Sequence, residues 1–571
     1  MHYNRTVNKN LNQVSNSLLL YNIIAMTNLL MKTSNCDTVD KTSFTCAQAL
    51  VEVLTEVGID SIFGYPGAAV LSVYNELAKS EKIRHFLVRH EQAAVHAAEG
   101  YARVSGKVGV VLVTSGPGFT NTITGIANAY ADSTPLIILA GDVPAGRADS
   151  KVFQKVDIIS MTKTCSKKNY LLSSKDDIKQ VIKKAVEVAT TGQKGPVVIA
   201  LPRNILEAKY IQKPQKELHN KKQPVVSEYD YEKVCKLINS AKSPLLLIGA
   251  GACEAVDNVK KFVEKTHIPV ISTLMGIGVY PSKDDMYLGM IGINGTYVAN
   301  TALNSADLIL SLGVSFSDRS TCKSADFAPN ARIINVNIKK IHGNFELELC
   351  SAVNDFLSNL ISRLDISTTY SEWNNKVKLL KEENVSRETN STCLRSSSVL
   401  ETIYEYTKDY EPIVVTDVGQ HQMLTAQFFN FAKPKKFITS GGLGTMGFGL
   451  PASIGVYLAN SNNLVLNITG DGSFQMNLQE LATCREHKIP VKIIIMNNGY
   501  LGMVRQMQEK IYDRRYQVEM INPDFTKIAE AYDLFAIRVQ THDELVPALQ
   551  KAIAHDGTAI IDIDIDSFEE I

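Results

Sequence analysis

The stretch NLVLNITGDGSFQMNLQEL, Asn463 to Leu481, and the run VKIIIMNNGYLG, Val491 to Gly502, decide how this chain folds. Each begins as a short apolar run, rich in β-branched residues and closed by glycine, which is the pattern of a strand buried on both faces of a parallel sheet. Asp471 and Asn498 follow these two strands at a separation of 27 positions, so both side chains converge at the carboxyl edge of one sheet. Magnesium takes hard oxygen ligands, one or two of them from the protein and the rest from phosphate and water, and this pair fits a metal diphosphate. Gly470 and Gly472 let the chain turn tightly toward phosphates, and a helix expected to begin near Ser473 aims its free N–H groups at them. Taken singly, Gly-Asp-Gly and Asn-Asn-Gly are also common turns. It is their placement after two strands that favours a site.

Outward from this pair, strands and helices alternate from about Thr42, which predicts parallel sheets covered on both sides. VGVVLVTS, PLIILAGD and GPVVIALP belong to a first domain, residues 42–205. A Lys/Gln-rich linker from about Glu207 to Lys222 leads to SPLLLIGAG, IPVISTL, DLILSLG and RIINVNI in a second, residues 225–365. A further polar stretch holding the only tryptophan, Trp373, precedes the third, residues 395–571, with EPIVVTDVG, the two opening runs and TAIIDIDID. The fold class is α/β, three consecutive doubly wound parallel-sheet domains, as a length of 571 residues allows. Residues 1–41 form an extension expected to be disordered. They are Asn-rich with no acid before Asp37, and Asn22, Thr27 and Asn28 break their apolar run.

Equal counts of basic and acidic side chains give a formal charge of zero, so no field draws nucleic acid or an anionic membrane, and no run is long enough to span one. A small-molecule partner is expected. Nine scattered cysteines without a Cys-x-x-Cys pair argue against a disulfide framework or zinc knuckle, and for a reducing compartment. The expected location is cytoplasmic, or an organelle if the extension is a presequence.

Several other constellations bear on chemistry. His90 and His96 stand six apart and point to different helix faces, which excludes the i, i+4 zinc pair. Glu91 follows the strand-like FLVRH and opens an Ala-rich helix, either as a helix-start acid or as a functional carboxylate. TSGPGFTN, Thr114 to Asn121, is a glycine turn between strand and helix. GAGA, Gly249 to Ala252, lacks the third glycine of a dinucleotide fingerprint. Asp318-Arg319 follows a strand end, where an arginine can hold a carboxylate bidentately or form a surface ion pair.

The strings FGYPGAAVL, HEQAAVHAAEGYAR, TSGPGFTN, FQKVDI, STLMGIG, VGQHQM, SGGLGTMGFGLPA, GDGSFQMNLQELAT and NNGYLGMVRQ, in this order, resemble the acetolactate synthase (acetohydroxyacid synthase) large-subunit family of thiamine-diphosphate enzymes. The resemblance covers nearly all of the chain after residue 42. It implies thiamine diphosphate and Mg2+ as cofactors, with pyrimidine-binding, central and diphosphate-binding domains in that order. It also implies a homodimer or dimer of dimers whose sites are each built by two chains, and a regulatory small subunit as partner. Glu91 would bond the aminopyrimidine and favour the tautomer that removes the thiazolium C2 proton. Met446 would hold the cofactor bent, Gln420 and His421 would contact the diphosphate, and Asp471, Asn498 and the Tyr500 carbonyl would bind the metal. Gly444, Thr445, Gly472, Ser473, Leu501, Gly502 and Met503 complete the cofactor contacts. Ala68, Phe153, Gln154, Lys167 and Met507 would line the substrate pocket and its entrance, and Arg319 would hold the acceptor's carboxylate. The implied reaction decarboxylates pyruvate and joins the two-carbon remainder to a second 2-oxo acid, giving 2-acetolactate or 2-aceto-2-hydroxybutanoate for branched-chain amino acid biosynthesis.

The chain departs from the family at five flavin contacts: Gln193 and Ser315 stand for Arg, Asn294 for His, Asn337 and Lys339 for Asp. Losing several hydrogen bonds at roughly 0.5–3 kcal/mol each leads to the expectation that FAD binds weakly or not at all. Met507 replaces a pocket Trp and Asp142 a Gln, so poor discrimination between acceptors is expected. The alternatives are a flavin-free decarboxylase or carboligase acting on another 2-oxo acid, a non-catalytic assembly subunit and, last, an oxidoreductase using the GAGA turn.

Overall fold

The computed structural model describes residues 44–146, 151–214, 225–321, 327–365, 369–384 and 394–571. The extension 1–41 lies outside the described residues, as does the second half, 215–222, of the Lys/Gln-rich linker. Three six-stranded, wholly parallel sheets follow one another in the unit from Cys46 to Ile571.

The first sheet holds β1 (Ser61–Gly64), β2 (Arg84–Leu87), β3 (Gly109–Val113), β4 (Leu136–Asp142), β5 (Lys168–Leu171) and β6 (Val197–Pro202), ordered β2-β1-β3-β4-β6-β5. The second holds β7 (Pro244–Ile248), β8 (Val270–Ser272), β9 (Tyr287–Met290), β10 (Leu308–Leu312), β11 (Arg332–Asn337) and β12 (Leu347–Cys350), ordered β12-β11-β10-β7-β8-β9. The third holds β13 (Ile413–Thr416), β14 (Phe437–Ile438), β15 (Val465–Gly470), β16 (Lys492–Asn497), β17 (Phe535–Val539) and β18 (Ala559–Asp564), ordered β14-β13-β15-β16-β18-β17. Counted within each domain, the first and third sheets share one strand order and the second has another. The central strands read as unbroken apolar runs because alternate residues enter two different cores. In β3, Val110 and Leu112 pack on one face and Val111 and Val113 on the other.

Two helices join the outer domains, α1 (Glu91–Ser105) from the first and, from the third, a helix at Gly449–Ala459. A Cβ on Gly100 would lie 2.1 Å from Ala452 O, and one on Gly455 would lie 1.8 Å from Ala97 O. The alanines and glycines of both helices therefore serve backbone-close packing. The polar stretch with Trp373 packs on the central domain. It forms α2 (Ser371–Asn384), whose Trp373 and Val377 enter the central core, with Trp373 Nε1 donating to Pro244 O at 3.0 Å. Its polar residues misled because one buried face suffices to dock a helix. No helix among the described residues is long and apolar enough to cross a membrane.

A buried polar junction ties the three domains. Arg103 donates to Glu99, to Asp132 (2.6 Å) and to Thr439 O (2.6 Å). Asp132 accepts from the N–H groups of Gly441 (3.0 Å) and Gly442 (2.6 Å), and Asn128 accepts from Ser440 and Thr445. The loop Thr439–Met446 thus stands on side chains of the first domain.

Candidate active site

Ligands of open parallel sheets bind outside the carboxyl ends of the strands where the order reverses. In the third sheet that place lies between β13 and β15. Gln420 and His421 follow β13, Asp471 follows β15 and Asn498 follows β16, and all four line one cleft with Met446, Gly472, Ser473, Tyr500, Leu501, Gly502 and Met503. Asp471 is almost fully buried. Its Oδ2 accepts from Gly499 N (2.9 Å) and Asn522 Nδ2 (2.6 Å), and its Oδ1 from Gly472 N (3.0 Å). Burial nevertheless holds its carboxyl above the usual range, so the site favours a compensating cation. Asn498 Nδ2 approaches Gln420 Oε1 at 3.4 Å, and its Oδ1 accepts from Tyr500 N. The His421 ring, driven to a pKa of about 4 by burial, is neutral, and its Nε2 has no protein partner. A buried carboxylate, an amide and an unpartnered imidazole nitrogen around one cleft fit a metal-bound diphosphate.

Two details differ from expectation. The helix begins at Asp471, ahead of Ser473, and ends at Phe474, too short to sum a large dipole. Gly470 has an ordinary φ of −88°, and neither it nor Gly472 takes a positive φ. Their use is space: a Cβ on Gly470 would lie 2.9 Å from His421 Nδ1, and one on Gly502 would lie 1.9 Å from Gln420 Oε1. Gly444 does need its φ of +73°, and Thr445 bonds Asn128 of the first domain instead of lining the cleft.

A second group gathers at the reversal point of the first sheet, between β1 and β3. Ala68 begins a turn whose next residue donates its N–H to Thr114 Oγ1, and Asp142 ends β4 beside it. A Cβ on Gly118 would meet Thr114 and lie 3.4 Å from Glu91 Oε1, while Asn121 Nδ2 donates to Glu91 Oε2 at 2.8 Å. Gln154 takes a left-handed φ of +60° against Gly116, an uncommon conformation for a side-chain-bearing residue, and Phe153 beside it is exposed. Among the described residues, none of the first domain lines the third-domain cleft.

Three expected residues stand elsewhere. Lys167 precedes β5, at the opposite edge of the sheet from Glu91, and donates to Thr191 O. Arg319 turns to the polar junction, donating to Gly441 O (3.1 Å) and Gln422 Oε1 (2.7 Å), and forms neither a surface ion pair with Asp318 nor part of the cleft. Met507 is exposed on a helix at Gly502–Tyr512.

The central sheet has its own reversal point, between β7 and β10, where the GAGA turn lies. A Cβ on Gly251 would sit 2.7 Å from Gly313 Cα, so these glycines accommodate a neighbouring loop. Asn337 is engaged with Val314 O and Ile338 N, Gln193 with Ser133, and Lys339 is exposed.

Sequence reading missed Asn522, Gln422 and Glu480, whose roles rest on distant partners. Glu480 is fully buried, and burial pushes its pKa up to about 7 against donors from Thr483, Arg89 and His90. The folded protein therefore keeps a proton that the unfolded chain releases near 4.5. The stability this gives is whole below that value and is lost as pH rises through about 7, by roughly 3 kcal/mol in all. Glu480→Gln removes the dependence, so the difference in melting temperature, variant minus wild type, is expected to grow from pH 5 to pH 8. A constant difference would contradict the assignment.

Comparison with known proteins accords with this geometry. Residues 44–161 match the N-terminal TPP binding domain of thiamine pyrophosphate enzymes, 231–360 their central domain and 417–563 their C-terminal TPP binding domain. The chain is 40% identical over 549 residues to the acetolactate synthase large subunit of Haemophilus influenzae, covering 92% of this chain and 95% of the relative. It is 37% identical to the Escherichia coli acetolactate synthase isozyme 3 large subunit, with the same coverage of both chains. It is also 38% identical to the chloroplastic acetolactate synthase of Arabidopsis thaliana, over 90% of this chain and 81% of that one.

Proposed function

The chain belongs to the acetolactate synthase large-subunit family of thiamine pyrophosphate enzymes, and on that premise we propose how its residues carry out acetolactate synthesis from pyruvate. The observation that carries the reading is the buried Asp471 beside Asn498 at the reversal point of the third sheet. Asp471, Asn498 and the Tyr500 carbonyl would hold Mg2+, and Gln420 and His421 would contact the diphosphate. Met446, on the loop that the first domain supports, lines the same cleft and would hold the cofactor's conformation. When bound, thiamine diphosphate supplies the nucleophilic carbon and stabilises the charge left by decarboxylation.

Glu91 supplies the carboxylate that sets the proton on the aminopyrimidine. Because it does not line the cleft of its own chain, the complete site takes Glu91 from a second copy, which supports a homodimer. Ala68, Gln154 and Phe153 come with it and border the substrate. Arg319 positions the loop Thr439–Met446 through Gly441 O and Gln422. The same tie leaves its role toward an acceptor carboxylate to a rearrangement on assembly.

Incubation with pyruvate, thiamine diphosphate and Mg2+ is expected to yield acetolactate, and equally so with or without added FAD. Absence of acetolactate would defeat the reading, and stoichiometric flavin in the purified protein would defeat its flavin-independent part. Met507, exposed within one chain, would offer a flexible wall once the site is assembled, so pyruvate and 2-oxobutanoate offered together as acceptors should react with a ratio within about tenfold of unity. Strong preference for 2-oxobutanoate would show that another residue replaces the Trp.

A further inference from the structure

The segment that carries Glu91 is gripped from the third domain. Glu480 Oε1 accepts from the backbone N–H of Arg89 (2.9 Å) and of His90 (3.1 Å), the two residues immediately ahead of Glu91. Three neighbours close on the same segment. Thr483 Oγ1 donates to Leu87 O at 3.3 Å and to Glu480 Oε2 at 2.7 Å, Arg89 donates to Glu486 at 2.6 Å, and the His487 ring meets Phe86 edge-on at 5.1 Å.

Burying a carboxylate is unfavourable, and N–H groups ahead of a helix are readily served by water or a neutral cap. A fully buried acid used for this purpose fixes the entry geometry of α1. His90 is the cap residue, extended at φ −151° and ψ 141°, and Glu91 is the first helical residue, so its side-chain direction follows from the backbone that Glu480 holds.

We propose that Glu480 is a positioning residue that sets the direction of Glu91 by clamping the Arg89–His90 backbone from the domain that carries Asp471. The inference rests on the role given to Glu91 above. It is tested in the full-length protein with Glu480→Ala and Glu480→Gln, the latter keeping one acceptor oxygen. The first readout is amide hydrogen exchange of the peptide containing Arg89 and His90 in cofactor-free protein. The second is the rate at which solvent deuterium replaces the C2 proton of bound thiamine diphosphate.

For Glu480→Ala, amide exchange is expected to rise by about tenfold or more. C2 exchange is expected to fall by about 10²-fold, the cost of a misplaced group. Thiamine diphosphate affinity should stay within about threefold, since the Asp471 contacts are untouched, and Glu480→Gln should restore both rates to a similar margin. Wild-type C2 exchange in Glu480→Ala, or Glu480→Gln as impaired as Glu480→Ala, would overturn the proposal. If Glu480→Ala does not fold, Glu480→Asp, whose oxygens are drawn back by one methylene, must show the same pattern or the proposal fails. Glu91→Gln separates the two readings. If it leaves C2 exchange intact, the role of Glu91 is wrong. If it abolishes exchange while Glu480→Ala does not, only the clamp is wrong.

Discussion

Asp471→Ala is expected to lose magnesium-dependent binding of thiamine diphosphate and, with it, all measurable acetolactate formation. Among the described residues the carboxylate is the only acid lining the cleft, is almost wholly buried, and has three donors already arranged on it. Removing an outer-shell partner of a metal ligand typically costs about 10–100-fold in affinity, and removing the charged ligand itself should exceed that. The alanine variant also leaves Gly499 N–H and Asn522 without their acceptor at roughly 1–3 kcal/mol each, so Asp471→Glu serves as the second variant. It keeps the charge but displaces it, and should bind more weakly than wild type and more tightly than Asp471→Ala. Titration of cofactor-free protein at fixed magnesium measures this. Unchanged affinity in Asp471→Ala would remove the metal site from this cleft.

Glu91→Gln should reduce turnover by about 10²–10⁴-fold, the range for loss of a positioned acid–base group, with cofactor affinity changed little. The reason is separation of tasks. The diphosphate is held by third-domain residues, while Glu91 stands over the Gly116–Gly118 turn with one oxygen fixed by Asn121. Glutamine keeps the shape and the hydrogen bond but cannot exchange the proton. Steady-state turnover compared with a binding titration distinguishes this from a loss of cofactor. Unchanged turnover would show that Glu91 does not handle the proton.

The parts of the fold legible in the sequence were the strands buried on both faces, because runs such as VGVVLV or the IIIM of Ile493–Met496 are apolar without interruption. Edge strands were harder to read. β14 is two residues long and β17 is part-exposed over four of its five residues, since an edge needs less apolar cover. The helix around Trp373 was not legible because α2 buries only one face of a polar segment. At the site, Asp471 and Asn498 were found from local strings and Gln420 and Met446 through the resemblance, and the cleft unites them. Lys167 was placed by resemblance alone and Arg319 also by its strand-end position, and within one chain they meet other partners, Thr191 O and the Gly441–Gln422 pair.

By itself the sequence determined three parallel α/β domains, the pair Asp471 and Asn498 at two strand ends and a separate acid at a helix start, because strand burial and strand-end position are written in consecutive residues. Only the tertiary structure decided that the outer domains share one strand order and that Gly470 and Gly502 make room for His421 and Gln420. It alone placed the GAGA turn against Gly313 and a buried Glu480 at the entry to Glu91's helix. Each of these is a contact between segments distant in the chain, fixed by how whole sheets and helices stack, and no local spacing records it.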